Sequence, residues 1–365
     1  MDKEVFHDLL RLAIENGASD IHVKSGKPAV LRINGALKPV EMDPISSDEA
    51  REFVLSIIPD RFKKIWDDEG QIDFAFSPGG MGRFRVNGYR QRNTTSISFR
   101  YVQSNIPTFT DLNLDPTKLE RLCKSRDGIV LVCGATGVGK SSTLAAMLNW
   151  INDNREAHVV TLEDPIEYNF PDKKCMFNQR EIGIDTSSYA LGLRSSLRQD
   201  PDIIYVGEMR DRITFETALT ASETGHLVFS SLHSINVQQA ILRLFEFFPP
   251  EQQEQMRRQV SESIRAIVAQ RLVKAIEGGG RLPVLEILAM DGVSRNLIHE
   301  GMFDKIPSVL ESGGEGGSQS FNKDLLRLMK AGKISKTDGL AASSNPKALE
   351  MNLKGIFLSD GGIIG

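Results

Sequence analysis

Residues 134–141 read GATGVGKS, which fits the spacing G-x-x-x-x-G-K-[ST]. The apolar run IVLVC comes before them and the helix-forming SSTLAAMLNWIND follows from Ser141. No other stretch restricts the fold as much. A strand must carry the chain into a tight glycine turn, and a helix must carry it out. Gly134, Gly137 and Gly139 let the backbone curl so that successive N–H groups point inward at phosphate oxygens. The helix beginning near Lys140 adds the positive end of its dipole. Lys140 is expected to reach the β- and γ-phosphates of ATP, and the Ser141 hydroxyl to ligate Mg²⁺. Ala135, Thr136, Val138 and Ser142 complete the nucleotide-binding stretch.

The motif demands a sheet around it, and the sequence supplies one. GIVLVCG, HVVTLED, DIIYVGE and HLVFSSLH are apolar runs separated by helix-like sequence. That alternation implies an α/β fold whose parallel sheet is covered by helices on both faces. Two of the runs end on acids, Glu163 and Glu208, and both acids are expected at the carboxyl edge of the sheet, where ligands bind. One can polarise an attacking water while the other supports Mg²⁺. Glu208 is the metal candidate, with Gly207 before it expected to keep a side chain away from the phosphates. Asp211 precedes the helical RITFETALTASE and reads as its cap. His226 and His233 flank the run LVFSSL. Their spacing does not suggest metal ligation, but a histidine at a strand end can hydrogen-bond the γ-phosphate or the water. A structural role is the alternative for both.

Before residue 103 the pattern differs. A helix over 3–16 ends at Gly17, and SDIHV and AVLRING read as strands. A serine-capped helix then runs to Pro59, and QIDFAFS, GRFRVNGYRQRN and SISFRYV follow as further strands. Residues 1–102 therefore read as a small α+β domain, 103–116 as a proline-containing linker, and 117–365 as the ATPase domain. Arg85 shares a strand face with Arg83, and Arg100 follows on the next strand. They read either as a solvated face or as arginine fingers that bring positive charge to the γ-phosphate. Past residue 234 the chain reads as mostly helical, except for two strands joined by EGGGRLP. SGGEGGSQS reads as a flexible loop and GIFLSDGGIIG as a poorly ordered tail.

Composition narrows the partners. A net charge of −4 argues against a nucleic-acid coat, and the three cysteines form no CxxC pair. No run of 18 apolar residues is present, so a membrane role would have to come through a partner.

In order along the chain, GASDIHV, GRFRVN, GATGVGKSS, TLEDPIEY, LRQDPDIIYVGEMRD, TGHLVFSSLH and RNLIHE resemble the type II/IV secretion ATPase superfamily. The resemblance is closest to the type IV pilus retraction (twitching-motility) ATPases. It implies a PAS-like N-terminal domain, a RecA-like P-loop domain with a helical C-terminal part, and a homo-hexameric ring. It further implies Glu163 as catalytic base, Glu208 as an atypical Walker B acid, His226 and His233 as a His box, and Arg85 and Arg100 as arginines approaching nucleotide. The implied location is cytoplasmic, peripheral at the inner-membrane base of the pilus machine, docked on a platform protein. A paralogous retraction ATPase is a further partner consistent with the resemblance, and no nucleic acid is expected. Pilus-assembly relatives carry a four-cysteine zinc insert near EGGGRLP and a longer N-terminal region. Neither is present in this sequence, which favours retraction. A DNA-translocating ATPase and a slowly hydrolysing, ATP-gated structural subunit stay open as alternatives.

Overall fold

The structure is a computed structural model and describes residues 3–33, 35–102, 105–314, 316–359 and 362–364. These fall into two compact units, residues 1–105 with 167–169, and 106–166 with 170–365.

In the first unit, alternation of apolar and polar residues builds an antiparallel sheet. Its strands are β1 (Asp20–Lys24), β2 (Val30–Ile33), β3 (Ala36–Pro39), β4 (Gln71–Phe76), β5 (Phe84–Gln91) and β6 (Thr94–Tyr101), in the order β3-β2-β1-β6-β5-β4. Helices α1 (Lys3–Glu15), α2 (Ser47–Ile57) and α3 (Asp60–Glu69) complete the unit. A capping box starts α2: the Ser46 hydroxyl accepts from Glu49 N–H and the Glu49 carboxylate accepts from Ser46 N–H. Pro59 ends that helix as expected, but it is also the N-cap of α3, which the sequence reading left out. Ile21, Phe74, Val86 and Phe99 point into the core with Phe6 and Phe53. The opposite face is polar. Register places Arg32, Asp20, Arg100 and Arg85 in one row across β2, β1, β6 and β5.

The second unit is built on a seven-stranded sheet. Its strands are β7 (Gly128–Cys133), β8 (His158–Glu163), β9 (Met176–Glu181), β10 (Ile203–Val206), β11 (Leu227–Leu232), β12 (Ile264–Lys274) and β13 (Arg281–Ala289). The order is β13-β12-β7-β11-β10-β8-β9, with every pair parallel except β12–β13. β7, β10 and β11 are buried along their whole length, as strands covered on both faces must be. The helices are α4 (Pro116–Cys123), α5 (Lys140–Asn154), α6 (Tyr189–Ser196), α7 (Arg212–Glu223), α8 (Val237–Glu246) and α9 (Pro250–Ser263). The short α10 (Gly292–His299), α11 (Ile306–Ser312), α12 (Phe321–Lys330), α13 (Lys336–Ala342) and α14 (Pro346–Leu353) form the helical C-terminal part. Most start on a side-chain cap, among them Asp211, Asn236, Asp291, Ser320 and Ser335.

Several segments differ from their sequence reading. The expected linker buries Ile106, Phe109 and Leu114, and its residues 103 and 104 lie outside the described residues. The polar MFNQRE forms β9 at the sheet's edge, where only one neighbour is needed. In the expected loop 312–320, Gln319 bridges to Ile287, while residue 315 lies outside the described residues. In the expected poorly ordered tail, Phe357–Ser359 and Gly362–Ile364 pair as a short antiparallel ladder. Residues 360, 361 and 365 lie outside the described residues.

Candidate nucleotide-hydrolysis site

Parallel strands bring their carboxyl ends to one edge of the sheet, and β7, β11, β10 and β8 are consecutive neighbours there. The chain past each end is stitched to the next. Gly134 N–H donates to Leu232 O at 3.3 Å, Met209 N–H to Ser231 O at 3.0 Å, and Gly207 N–H to Leu162 O at 2.8 Å. The phosphate loop, His233, Glu208 and Glu163 therefore follow one another along this edge.

The loop itself has the backbone that its glycines allow. Gly137 and Gly139 stand at φ +77° and +88°, a region that favours glycine, and no atom lies within 4 Å of a Cβ built at Gly137. Gly139 is the N-cap of α5 and, having no side chain, makes no side-chain cap hydrogen bond to it. Ala135, Thr136 and Gly137 are exposed, and Val138 through Ser142 are half-buried. Lys140 Nζ donates to the carbonyls of Gly134 at 2.9 Å and Ala135 at 3.1 Å, so its ammonium lies across the loop.

The two acids differ in environment. Glu163 is 5% exposed, and its Oε1 accepts from Thr161 Oγ1 at 2.7 Å and from Gln179 Nε2 at 3.1 Å. Gln179 lies on β9, the edge strand that the sequence reading missed. Glu208 is more open. Its Oε2 accepts from Arg210 Nε at 2.7 Å, and its Oε1 lies 3.2 Å from His233 Nε2. The hydrogen bond to Glu208 holds the Arg210 guanidinium above its ordinary value. Burial pushes the Tyr189 phenol up, and the charge of Asp164 adds to the effect. Gly207 has a different reason from the expected one. A Cβ there would stand 3.0 Å from the Tyr189 hydroxyl and 3.2 Å from Leu162 O, so the glycine lets β10 close on β8.

His226 does not join this group. It precedes the amino end of β11, so the whole length of the strand separates it from His233. Its Nδ1 lies 2.9 Å from Ala221 O and 3.1 Å from Thr224 Oγ1. The sequence reading put both histidines near the phosphates, but a strand that begins after one and ends before the other sends them to opposite edges. Arg85 and Arg100 face each other on β5 and β6 in the first unit. Arg100 is not unpaired: its Nε donates to Asp20 Oδ1 at 2.8 Å, although its side chain is 67% exposed.

The residues fit a nucleotide with Mg²⁺. The helix-start hydroxyl of Ser141 and two strand-end carboxylates are oxygen donors of the kind that cation takes. Among the described residues no group of three or more histidine, cysteine, aspartate or glutamate side chains could hold a metal. The remaining ligands would have to be phosphate and water oxygens.

A glycine cradle between a buried strand and a helix, beside acid-bearing strand ends, defines a P-loop nucleotide-binding protein of the RecA-like kind. Residues 2–281 match the family model described as type II/IV secretion system protein, and the chain belongs to that family. Among curated proteins it is 38% identical to the type IV pilus ATPase PilU of Pseudomonas aeruginosa, over 96% of this chain and 91% of that one. It is also 38% identical to the type IV pilus retraction ATPase PilT of the same organism, over 93% and 98%. Among solved structures it is similar to the pilus retraction motor PilT with bound ADP. The TM-score is 0.85 and the identity 41%, covering 94% of this chain and 98% of that one. The relatives' shared chemistry makes this chain an ATPase that binds adenine nucleotide. No helix among the described residues is long and apolar enough to cross a membrane.

Proposed function

We propose that the chain is a motor subunit that hydrolyses ATP to drive type IV pilus retraction. The observation that carries this reading is the single sheet edge shared by the phosphate loop, the Glu208–His233 pair and the buried Glu163. Lys140 holds the β- and γ-phosphates, and Glu163 orients the attacking water and takes its proton. Ser141 and, through water, Glu208 would hold Mg²⁺, which would supply charge neutralisation at the phosphates. His233, whose Nε2 lies 3.2 Å from Glu208 Oε1, hydrogen-bonds the γ-phosphate or the water and reports nucleotide state. Arg85 and Arg100, in the PAS-like domain (residues 1–102), bring positive charge to the γ-phosphate of ATP held by a neighbouring subunit's ATPase domain (117–365); residues 103–116 link the two domains.

Six copies form the ring, and hydrolysis swings one domain against the other. The ring works on a platform protein from the cytoplasmic side of the inner membrane and draws pilin subunits out of the fibre. The relatives named as retraction ATPases support this reading. A paralogous ATPase fits as a further partner. The DNA-translocating alternative predicts hydrolysis stimulated by DNA.

The test joins three measurements. Purified protein is expected to sediment as a hexamer with nucleotide and to release phosphate only with Mg²⁺, unchanged by DNA. A strain lacking the gene is expected to regain twitching with the wild-type copy and not with Lys140→Ala. Twitching restored by Lys140→Ala, or phosphate release that depends on DNA, would overturn the proposal.

A further inference from the structure

A buried polar side chain in the middle of a sheet needs partners, because each unpaired polar atom there loses its hydration without return. Gln270, on β12, is 3% exposed. Its backbone follows Ala269, which pairs with Cys133 of β7, so Gln270 lies level with Gly134, where the phosphate loop begins.

Both hydrogen bonds of its amide go to that loop or to the helix leaving it. Oε1 accepts from Thr143 Oγ1 at 2.7 Å, and Nε2 donates to Val138 O at 2.7 Å. Thr143 is itself fully buried, and its N–H donates to Gly139 O at 3.1 Å. The Gln270 backbone is as close: a Cβ at Gly134 would stand 2.6 Å from Gln270 O. One residue thus touches the loop at its entry, at its last turn and at the first turn of α5.

The bond to Val138 has a directional consequence. A trans peptide sets its C=O and N–H on opposite sides. With Val138 O drawn toward Gln270, the Gly139 N–H on the same peptide is turned away from the sheet strand. That N–H belongs to the set a phosphate loop presents to its anion. We infer that Gln270 is a positioning residue for nucleotide binding: its amide fixes the 138–139 peptide and so aims the loop's N–H groups. The inference rests on the phosphate-loop reading of residues 134–141.

The experiment measures binding of a fluorescent ADP analogue, KM and kcat for ATP, and thermal stability, on the full chain. Gln270→Met removes both arms and is expected to weaken ADP binding and raise KM about tenfold or more, with kcat changed much less. Gln270→Glu keeps an acceptor for Thr143 but puts an oxygen against Val138 O, and is expected to weaken binding comparably. Thr143→Val leaves the Val138 arm intact and is expected to cost about threefold or less. A merely structural glutamine would lower the melting temperature and leave ADP affinity alone. Affinity within twofold of wild type in Gln270→Glu, or a larger loss in Thr143→Val than in Gln270→Glu, overturns the inference even if Gln270→Met fails to fold. Lys140→Ala is the control. If it too binds ADP like wild type, the phosphate-loop reading itself has failed, and not the role of Gln270.

Discussion

Replacing Glu163 by glutamine separates the chemistry of this site from its architecture. The carboxylate is buried, and one of its oxygens accepts from Thr161 Oγ1 at 2.7 Å and from Gln179 Nε2 at 3.1 Å. A glutamine can keep an oxygen at that position, so both bonds survive and the side chain stays in place. The substitution removes the negative charge and the basic lone pair. Positioned general bases contribute roughly 10²–10⁴ in rate, or about 2.7–5.5 kcal/mol at 1.36 kcal/mol per decade. With both of these bonds kept, stability should change by about 1 kcal/mol, the range of a single hydrogen bond. The assay is single-turnover phosphate release, which isolates the chemical step from product release, alongside ADP binding and thermal melting. Glu163→Gln is expected to lose between a hundredfold and ten-thousandfold in turnover and to hold nucleotide with wild-type affinity. A rate within threefold of wild type would refute the base assignment. A rate lost together with affinity would mean that the residue serves binding. A wild-type rate already at the variant's level would favour the slow structural subunit over the motor.

Two other perturbations probe the same unit. Gly207→Ala places a methyl 3.0 Å from the Tyr189 hydroxyl and 3.2 Å from Leu162 O. It should part the ends of β8 and β10, lower kcat about tenfold or more through displaced groups, and be partly rescued by Tyr189→Phe; equal activity in all three proteins would contradict this. Glu286 accepts from Val237 N–H at 2.8 Å, and burial raises its carboxyl above the ordinary value despite that bond and the charge of Arg271. A raised acid stabilises the fold fully below its unfolded value, about 4.3, and the stabilisation is lost as pH rises through the folded value. Glu286→Gln should therefore melt above wild type at pH 8 and converge with it by pH 4; a gap that widens toward acid would reverse the sign.

The parts of the chain with strong periodicity were legible. Residues 134–141 fix a strand, a turn and a helix by their own chemistry, and the apolar runs ending at Glu163 and Glu208 place those acids at strand ends. What stayed hidden had no such signal. MFNQRE has the composition of a loop, yet it forms β9, because an edge strand needs a ladder on one side only. LKP, within β3, is exposed throughout, so no inward face marks it. His226 was misplaced because a motif read as letters carries no direction, whereas a strand has two ends. Gln270 was not singled out because, next to Arg271, it reads as a polar break between the apolar IVA and LV. A glutamine set inside a run that is apolar on both sides of the pair (IVAQRLV) is the signal that could have marked it.

The strand order acts as a ruler. Adjacent strands stand about 4.8 Å apart, so β7, β11, β10 and β8 space their terminal groups in fixed steps from the Lys140 loop, with Glu163 on the farthest of these strands. Ladder bonds resist sliding one tooth of this comb against the next. A change at the lysine end can therefore reach the buried carboxylate only by rotation of side chains, or by motion of the comb as one piece. Any stroke the molecule makes must be geared outside these four strands, whose ladders run without a bulge.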